Sequence, residues 1–121
     1  MEQRIIKFKA KRLDGKGWAI GDLLHSYENG AIIVPIEGGG AFSVDPSTIC
    51  QFTGLKDKNG KEVWEHDLLT NDYSVIYEVG YEGCGFKASI KGENEFDLNL
   101  VAVCKYNCIC GNKFDRKEGE K

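Results

Sequence analysis

Asp57, Glu62, Glu65, His66 and Asp67 crowd one short stretch of the chain, and all are residue types that ligate hard metal ions or pass protons. Asp57, Glu65, His66 and Asp67 are the set a metal-dependent hydrolase or nuclease would use here. Ligand and catalytic sets normally converge from several elements, however, whereas these residues are nearly contiguous. Turn chemistry explains them more simply. Asp57-Lys58-Asn59-Gly60-Lys61 reads as a tight hairpin turn, and Glu65 and Asp67 cap or solvate a bend before the next strand.

Cys104, Cys108 and Cys110 form C-x3-C-x-C, close enough to share a soft metal such as zinc if a fourth ligand joined them. The fourth would have to be the distant Cys50, Cys84, His25 or His66. Neither spacing nor count suits a structural zinc site, so packed free thiols are expected and no metal or cofactor is assigned. A catalytic thiol needs a base beside it, which the sequence does not supply. Gly38-Gly39-Gly40 lacks the Lys-Ser/Thr and helix of a phosphate loop.

Two binding features remain. Arg4, Lys7, Lys9, Lys11 and Arg12, interleaved with Phe8, could face a single-stranded nucleic acid, although a solvated edge strand is the simpler account. Trp18, Trp64, Tyr73, Tyr77 and Tyr81 could line a peptide groove, although most aromatic residues of so small a chain belong in its core. Trp18, Trp64, Tyr77, Lys7, Lys9 and Lys11 are therefore the candidate contact residues, and no residue is assigned a catalytic role.

The elements that must position these groups are short strands. The chain has 121 residues, 15 glycines and two prolines, with apolar runs broken by turn signals and no sustained helical period. Ile6 to Lys11 alternates apolar and basic residues as a half-buried strand does, Asp14 to Gly17 turns it, and Trp18 to Leu24 is its partner. A break at Asn29-Gly30 precedes the β-branched Ala31 to Val34, which suits a strand buried on both faces or one at a sheet centre. Asp45-Pro46-Ser47 turns the chain into a strand from Ile49 to Thr53, ended by Gly54. Val75, Tyr77, Val79 and Tyr81 alternate along a strand that Glu82 to Gly85 folds back onto Phe86 to Ile90. Phe96 to Leu100 and Leu100 to Tyr106 read as the last strands, and Arg116 to Lys121 as a charged, frayed tail. The expected fold is all-β: one domain over 1–115 built as a small, partly open SH3-like barrel with hairpin extensions.

Sixteen Lys and Arg against nineteen Asp and Glu give a net charge of −3, so nothing draws the whole chain to nucleic acid or to an anionic membrane. The first residues lack the apolar run of a signal peptide, and no stretch nears the roughly 18 apolar residues of a membrane span. A cytoplasmic protein with reduced thiols is expected.

The run Thr48 to Leu68, containing Gln51-Phe52-Thr53-Gly54 and Trp64-Glu65-His66-Asp67, resembles the signature of the YopX family of phage and prophage proteins. Ile6 to Lys11, Gly21-Asp22-Leu23-Leu24 and Gly111-Asn112-Lys113-Phe114-Asp115 extend the resemblance along nearly the whole chain. It implies a β-rich SH3-like barrel from a bacteriophage or prophage, in a family that brings no established biochemical function. The family usually carries Gly where His66 stands, and an Asn-Pro-rich ending where this chain has Arg116 to Lys121. The expectation is a non-enzymatic accessory protein of the bacterial cytoplasm that self-associates or binds a phage or host protein. Self-association is expected because an incompletely closed barrel leaves strand edges to cover.

Overall fold

In the alternating stretch Phe8-Lys9-Ala10-Lys11, Ala10 is fully buried in strand β1 (Phe8–Lys11), which pairs antiparallel with β2 (Trp18–Ser26). The computed structural model describes residues 5–26, 30–93 and 95–115; the readings made for Arg4, for the turn at Asn29 and for the tail 116–121 lie outside them. Contacts divide the chain into two compact units, Met1–Phe52 and Thr53–Lys121.

In the first unit, β3 (Gly30–Val34) lies between β2 and β4 (Phe42–Val44), so the β-branched run does occupy a sheet interior. A 3₁₀ turn (Pro46–Thr48) then delivers the chain to β5 (Cys50–Lys56), whose first residues pair with β1. Asp45 caps that turn through its side-chain oxygen, which accepts from the Ser47 N–H at 2.9 Å. The buried Thr48 hydroxyl accepts from the Lys11 N–H at 2.8 Å and donates to the Asp45 carbonyl at 2.8 Å. The strand order is β4-β3-β2-β1-β5, and the residues after β1 bend back to β4 through an Arg12–Val44 bridge and a Leu13 N–H bond to the Ser43 carbonyl at 3.0 Å. The sheet curls without closing, which is the partly open barrel form. Its interior holds Ala10, Ala19, Ala31, Ile33 and Val44. The curl brings the Val34 carbonyl so near Gly21 that a Cβ there would lie 2.2 Å from its oxygen, and only glycine fits.

The remainder of β5 belongs to the second unit and lies beside β6 (Glu62–Trp64). Gly54 does not end β5; it carries the strand onward at φ +87°, a conformation that glycine holds without strain. The strands β7 (Asp67–Thr70), β8 (Ile76–Glu82), β9 (Gly85–Ile90) and β10 (Cys108–Asn112) form an antiparallel sheet in the order β10-β7-β8-β9. The β8–β9 hairpin has the expected register, with Tyr77 opposite Ile90 and Tyr81 opposite Phe86.

The expectation of strands from Phe96 to Tyr106 fails: before Leu100 there is only an isolated bridge between Leu98 and Ala88, and no strand. Leu100–Tyr106 is a helix, α1, whose start is capped by the Asn99 side chain accepting from the Ala102 N–H at 3.2 Å. Leu100, Val103 and Cys104, spaced i, i+3 and i+4, are its buried residues and join Val63, Leu69, Val79 and Ala88 in the core of this unit. Valine's strand preference gave way to that apolar face. Among the described residues no helix is long and apolar enough to cross a membrane.

Candidate functional site

The turn after β5 is built on Asp57. Its N–H donates to the Lys61 carbonyl at 2.8 Å, and its Oδ1 accepts from the N–H groups of Asn59 and Lys61, each at 2.9 Å. Oδ2 accepts from the Ile109 N–H at 2.9 Å, which ties the turn to β10. Burial pushes the Asp57 carboxyl up, but the N–H groups of Ile109, Lys61 and Asn59, helped by the Lys61 charge, outweigh it and hold the carboxyl below its usual 3.8. This carboxylate already serves as the acceptor for three backbone donors from two elements.

Asp67, only 2% exposed, is committed in a similar way. Its Oδ2 accepts from the Trp64 N–H at 2.7 Å and its Oδ1 from the Asn112 carboxamide at 2.9 Å. The same carboxamide reaches the Glu65 carbonyl at 3.4 Å, while Asn112 Oδ1 accepts from the Phe114 N–H at 2.9 Å. Between Glu65 and Asp67, His66 takes the left-handed backbone conformation at φ 72°. Its N–H donates to the Val79 carbonyl at 2.9 Å and its carbonyl accepts from the Lys113 N–H at 2.8 Å. Its ring meets Phe114 edge-on at 5.1 Å, its Nε2 lies 3.8 Å from Glu65, and its buried Nδ1 has no hydrogen-bond partner among the described residues. The polar cluster thus acts as a set of clamps joining a turn, a bend and β10. Among the described residues no three His, Cys, Asp or Glu side chains stand where they could hold a metal ion.

All five cysteines are free thiols. Cys104 sits on α1 rather than on a strand, and the register of β10 against β7 shifts between Ile109 and Gly111, interrupting the alternation read for Cys108 and Cys110. Burial first, then the charges of Asp57 and Asp67, push the Cys104 thiol up to about 11. A thiol so disfavoured as thiolate is a poor nucleophile and a poor metal ligand. With a disulfide-exchange reagent at pH 8, exposed Cys84 is expected to react first. Buried Cys50 and Cys104 should lag by about two orders of magnitude or more until the chain unfolds. Equal rates for Cys84 and Cys104 would refute this burial pattern.

The candidate contact residues divide. Trp64 is 6% exposed and Tyr77 packs against the core of the second unit, so neither presents a whole ring outward. In the first unit, the ammonium groups of Lys9 and Lys11 lie 4.6 and 5.1 Å from the ring centre of the half-buried Trp18, and that of Lys7 lies 4.7 Å from the ring centre of Phe52. The β1–β2 register sets Lys9 opposite Ile20 and Lys11 opposite Trp18, and paired residues share a face. That face therefore carries Lys9, Lys11, Trp18 and Ile20, and β2 continues it through Asp22 and Leu24. Ile20 and Leu24 are 48% and 54% exposed. Sequence reasoning passed over both, though Ala19 and Gly21 between them mark the opposite face as the crowded one.

The sequence matches the family model described as YopX protein over residues 8–118. The chain belongs to the YopX family. No curated protein matches it. Two of the stretches by which the chain resembles YopX proteins meet in the structure, since Asn112 and Asp115 of the terminal stretch close on each other and Asn112 closes on Glu65 and Asp67 of the central one. Glycine, which the resemblance leads one to expect at the His66 position, suits φ 72°, where any residue with a Cβ is strained. Replacing His66 by Gly should change stability by less than about 1 kcal/mol, because strain relief offsets the lost Phe114 contact and the added unfolded-state entropy. His66→Val, with a branched Cβ at the same φ, should cost about 2 kcal/mol. Urea titration of both variants tests this, and equal losses would show that the backbone conformation is not what limits the position.

Proposed function

We propose that this YopX protein is a non-enzymatic accessory protein of a bacteriophage or prophage. It works in the cytoplasm of the bacterial host by binding protein, its own copies included. The observation that carries this reading is the β1–β2 face, where Ile20 and Leu24 stand in solvent beside Trp18 and its lysines. Exposed apolar side chains on a rigid strand, rimmed by charge, are the usual makings of a protein interface. The hydrolase reading loses its support because the Asp57 and Asp67 carboxylates are occupied by backbone and amide donors.

Light scattering over low to high micromolar protein tests the self-associating form. A mass that rises with concentration in the parent and stays monomeric in Ile20→Glu/Leu24→Glu supports it. A strict monomer at the highest concentration removes self-assembly and leaves binding to a foreign partner. The lysine–aromatic row favours a second reading, a single-strand nucleic-acid binder, against the net charge of −3. Salt-dependent binding of a labelled oligonucleotide, lost in Lys9→Glu/Lys11→Glu, would support that reading instead.

A further inference from the structure

The loop between β7 and β8 holds Tyr73 in the left-handed conformation at φ 67° with its side chain 70% exposed. Glycine, asparagine or aspartate holds such a φ at lower cost, and among the described residues the Tyr73 side chain has no hydrogen bond or ring contact to repay it. Hydrogen bonds nevertheless tie the loop to the end of β7. The buried Thr70 hydroxyl accepts from the Tyr73 N–H at 2.9 Å and donates to the Val75 carbonyl at 2.7 Å. A tyrosine held at this φ with its side chain 70% exposed is a use of stability that packing does not explain.

On either side of Tyr73, Asn71 and Asp72 before it and Ser74 after it line a groove of about 280 Å³ whose other walls include Tyr77 and Tyr106. That size is at the lower end of small-molecule sites. The Asn71 carboxamide and the hydroxyls of Tyr77 and Tyr106 have no hydrogen-bond partner among the described residues. Asp72 accepts from the N–H and hydroxyl of Ser74 at 2.9 and 2.5 Å, which leaves about half of a carboxylate's roughly four acceptor sites for a ligand.

We propose that this groove is a saccharide-binding site, with Asp72 and Asn71 as partners for sugar hydroxyls and the exposed Tyr73, which stands in the chain between the lining residues Asp72 and Ser74, as a stacking platform beside it. A pyranose offers an apolar C–H face to an aromatic ring and, around its edge, hydroxyls that both donate and accept. The groove supplies flat rings, a carboxylate acceptor, and amide and hydroxyl groups able to do either. No Lys, Arg or His lines it, which disfavours phosphate and other anions. The rings of Tyr73, Tyr77 and Tyr106 make no ring contact with one another, so they do not form the closed aromatic cage that holds a quaternary ammonium. A proline-rich peptide would use the rings and hydroxyl donors but leave the carboxylate idle.

The test is NMR on the ¹⁵N-labelled full chain, reading saturation transfer and amide shifts. The probes are cellotriose, maltotriose and chitotriose, with tetramethylammonium and a proline decapeptide as competing ligand classes. At least one trisaccharide should receive saturation and shift amides 71–75 and 106–107, with a Kd between about 10 μM and about 5 mM. Tyr73→Gly should weaken that binding at least about fivefold while melting no lower than the parent, because glycine is at ease at this φ, and so loss of binding is not loss of fold. The proposal is overturned by no transfer from any sugar at about 20 mM, far above the upper Kd expected. Sugar-induced shifts outside the groove, binding indifferent to Tyr73→Gly, or groove shifts with tetramethylammonium or the decapeptide alone would overturn it equally.

Discussion

Replacing Asp57 by alanine is expected to destabilise the protein by about 3 kcal/mol, read from urea denaturation at pH 7. The change leaves the N–H groups of Asn59, Lys61 and Ile109 without their acceptor and cuts the tie between the β5–β6 turn and β10. Hydrogen bonds to a charged acceptor are each worth about 1.5–3 kcal/mol. The turn N–H groups regain water on the surface, so the full sum is not lost. Asp57→Asn keeps one carbonyl oxygen but faces an amide nitrogen against a backbone donor, and should cost roughly half as much. The two proteins should also differ in pH dependence. The folded Asp57 carboxyl titrates below its usual 3.8, so its contribution is present above that value and is lost as pH falls through the folded value. Asp57→Asn should flatten that acid limb. A loss under about 1 kcal/mol for the alanine variant would show that the carboxylate is a passive turn residue after all.

How much of this was legible beforehand depended on how local the signal was. The hairpin at Asp57-Lys58-Asn59-Gly60 and the alternation of Tyr77, Val79 and Tyr81 are carried by neighbouring residues, and both are present, although the strand starts at Ile76 and leaves out Val75. Helix α1 was missed because its evidence lay in combining the Asn99 cap with the spacing of Leu100, Val103 and Cys104, against the strand preference of Val101 and Val103. At Asp57 and Asp67 the carboxylates accept from N–H groups of their own turn and bend, which is local chemistry. What the sequence did not disclose is that their other partners are Ile109 and Asn112, far along the chain. Exposure was the least legible property. Trp64 was put forward as a contact residue and is buried, while Ile20 and Leu24 are apolar and lie outside, because the curl of the sheet decides which face is crowded.

The Asn112–Asp67 contact allows a prediction of opposite sign in pH. Asn112→Asp sets a carboxylate where the carboxamide donates to Asp67 Oδ1 at 2.9 Å, with both residues buried. Two like charges about 4 Å apart at an effective dielectric near 20 repel by about 4 kcal/mol, so one carboxyl must take up a proton or the fold must yield. Expected at pH 7.5 is a loss of about 3 kcal/mol or more. The pair's folded titration is raised above the unfolded value, so the variant recovers as pH falls. Below pH of about 5 a shared proton turns the repulsion into an O–H···O bond, and the deficit should shrink to about 1 kcal/mol. Asn112→Ala lacks the second charge and serves as the control, costing about 2 kcal/mol at either pH through the unpaired Asp67 oxygen and the lost Glu65 contact. Urea midpoints at pH 4.5 and 7.5 separate the two outcomes. If Asn112→Asp and Asn112→Ala lose the same stability at both pH values, the contact does not hold Asp67, and the closure of the terminal stretch on the central one is not what fixes β10 against the Glu65-His66-Asp67 bend.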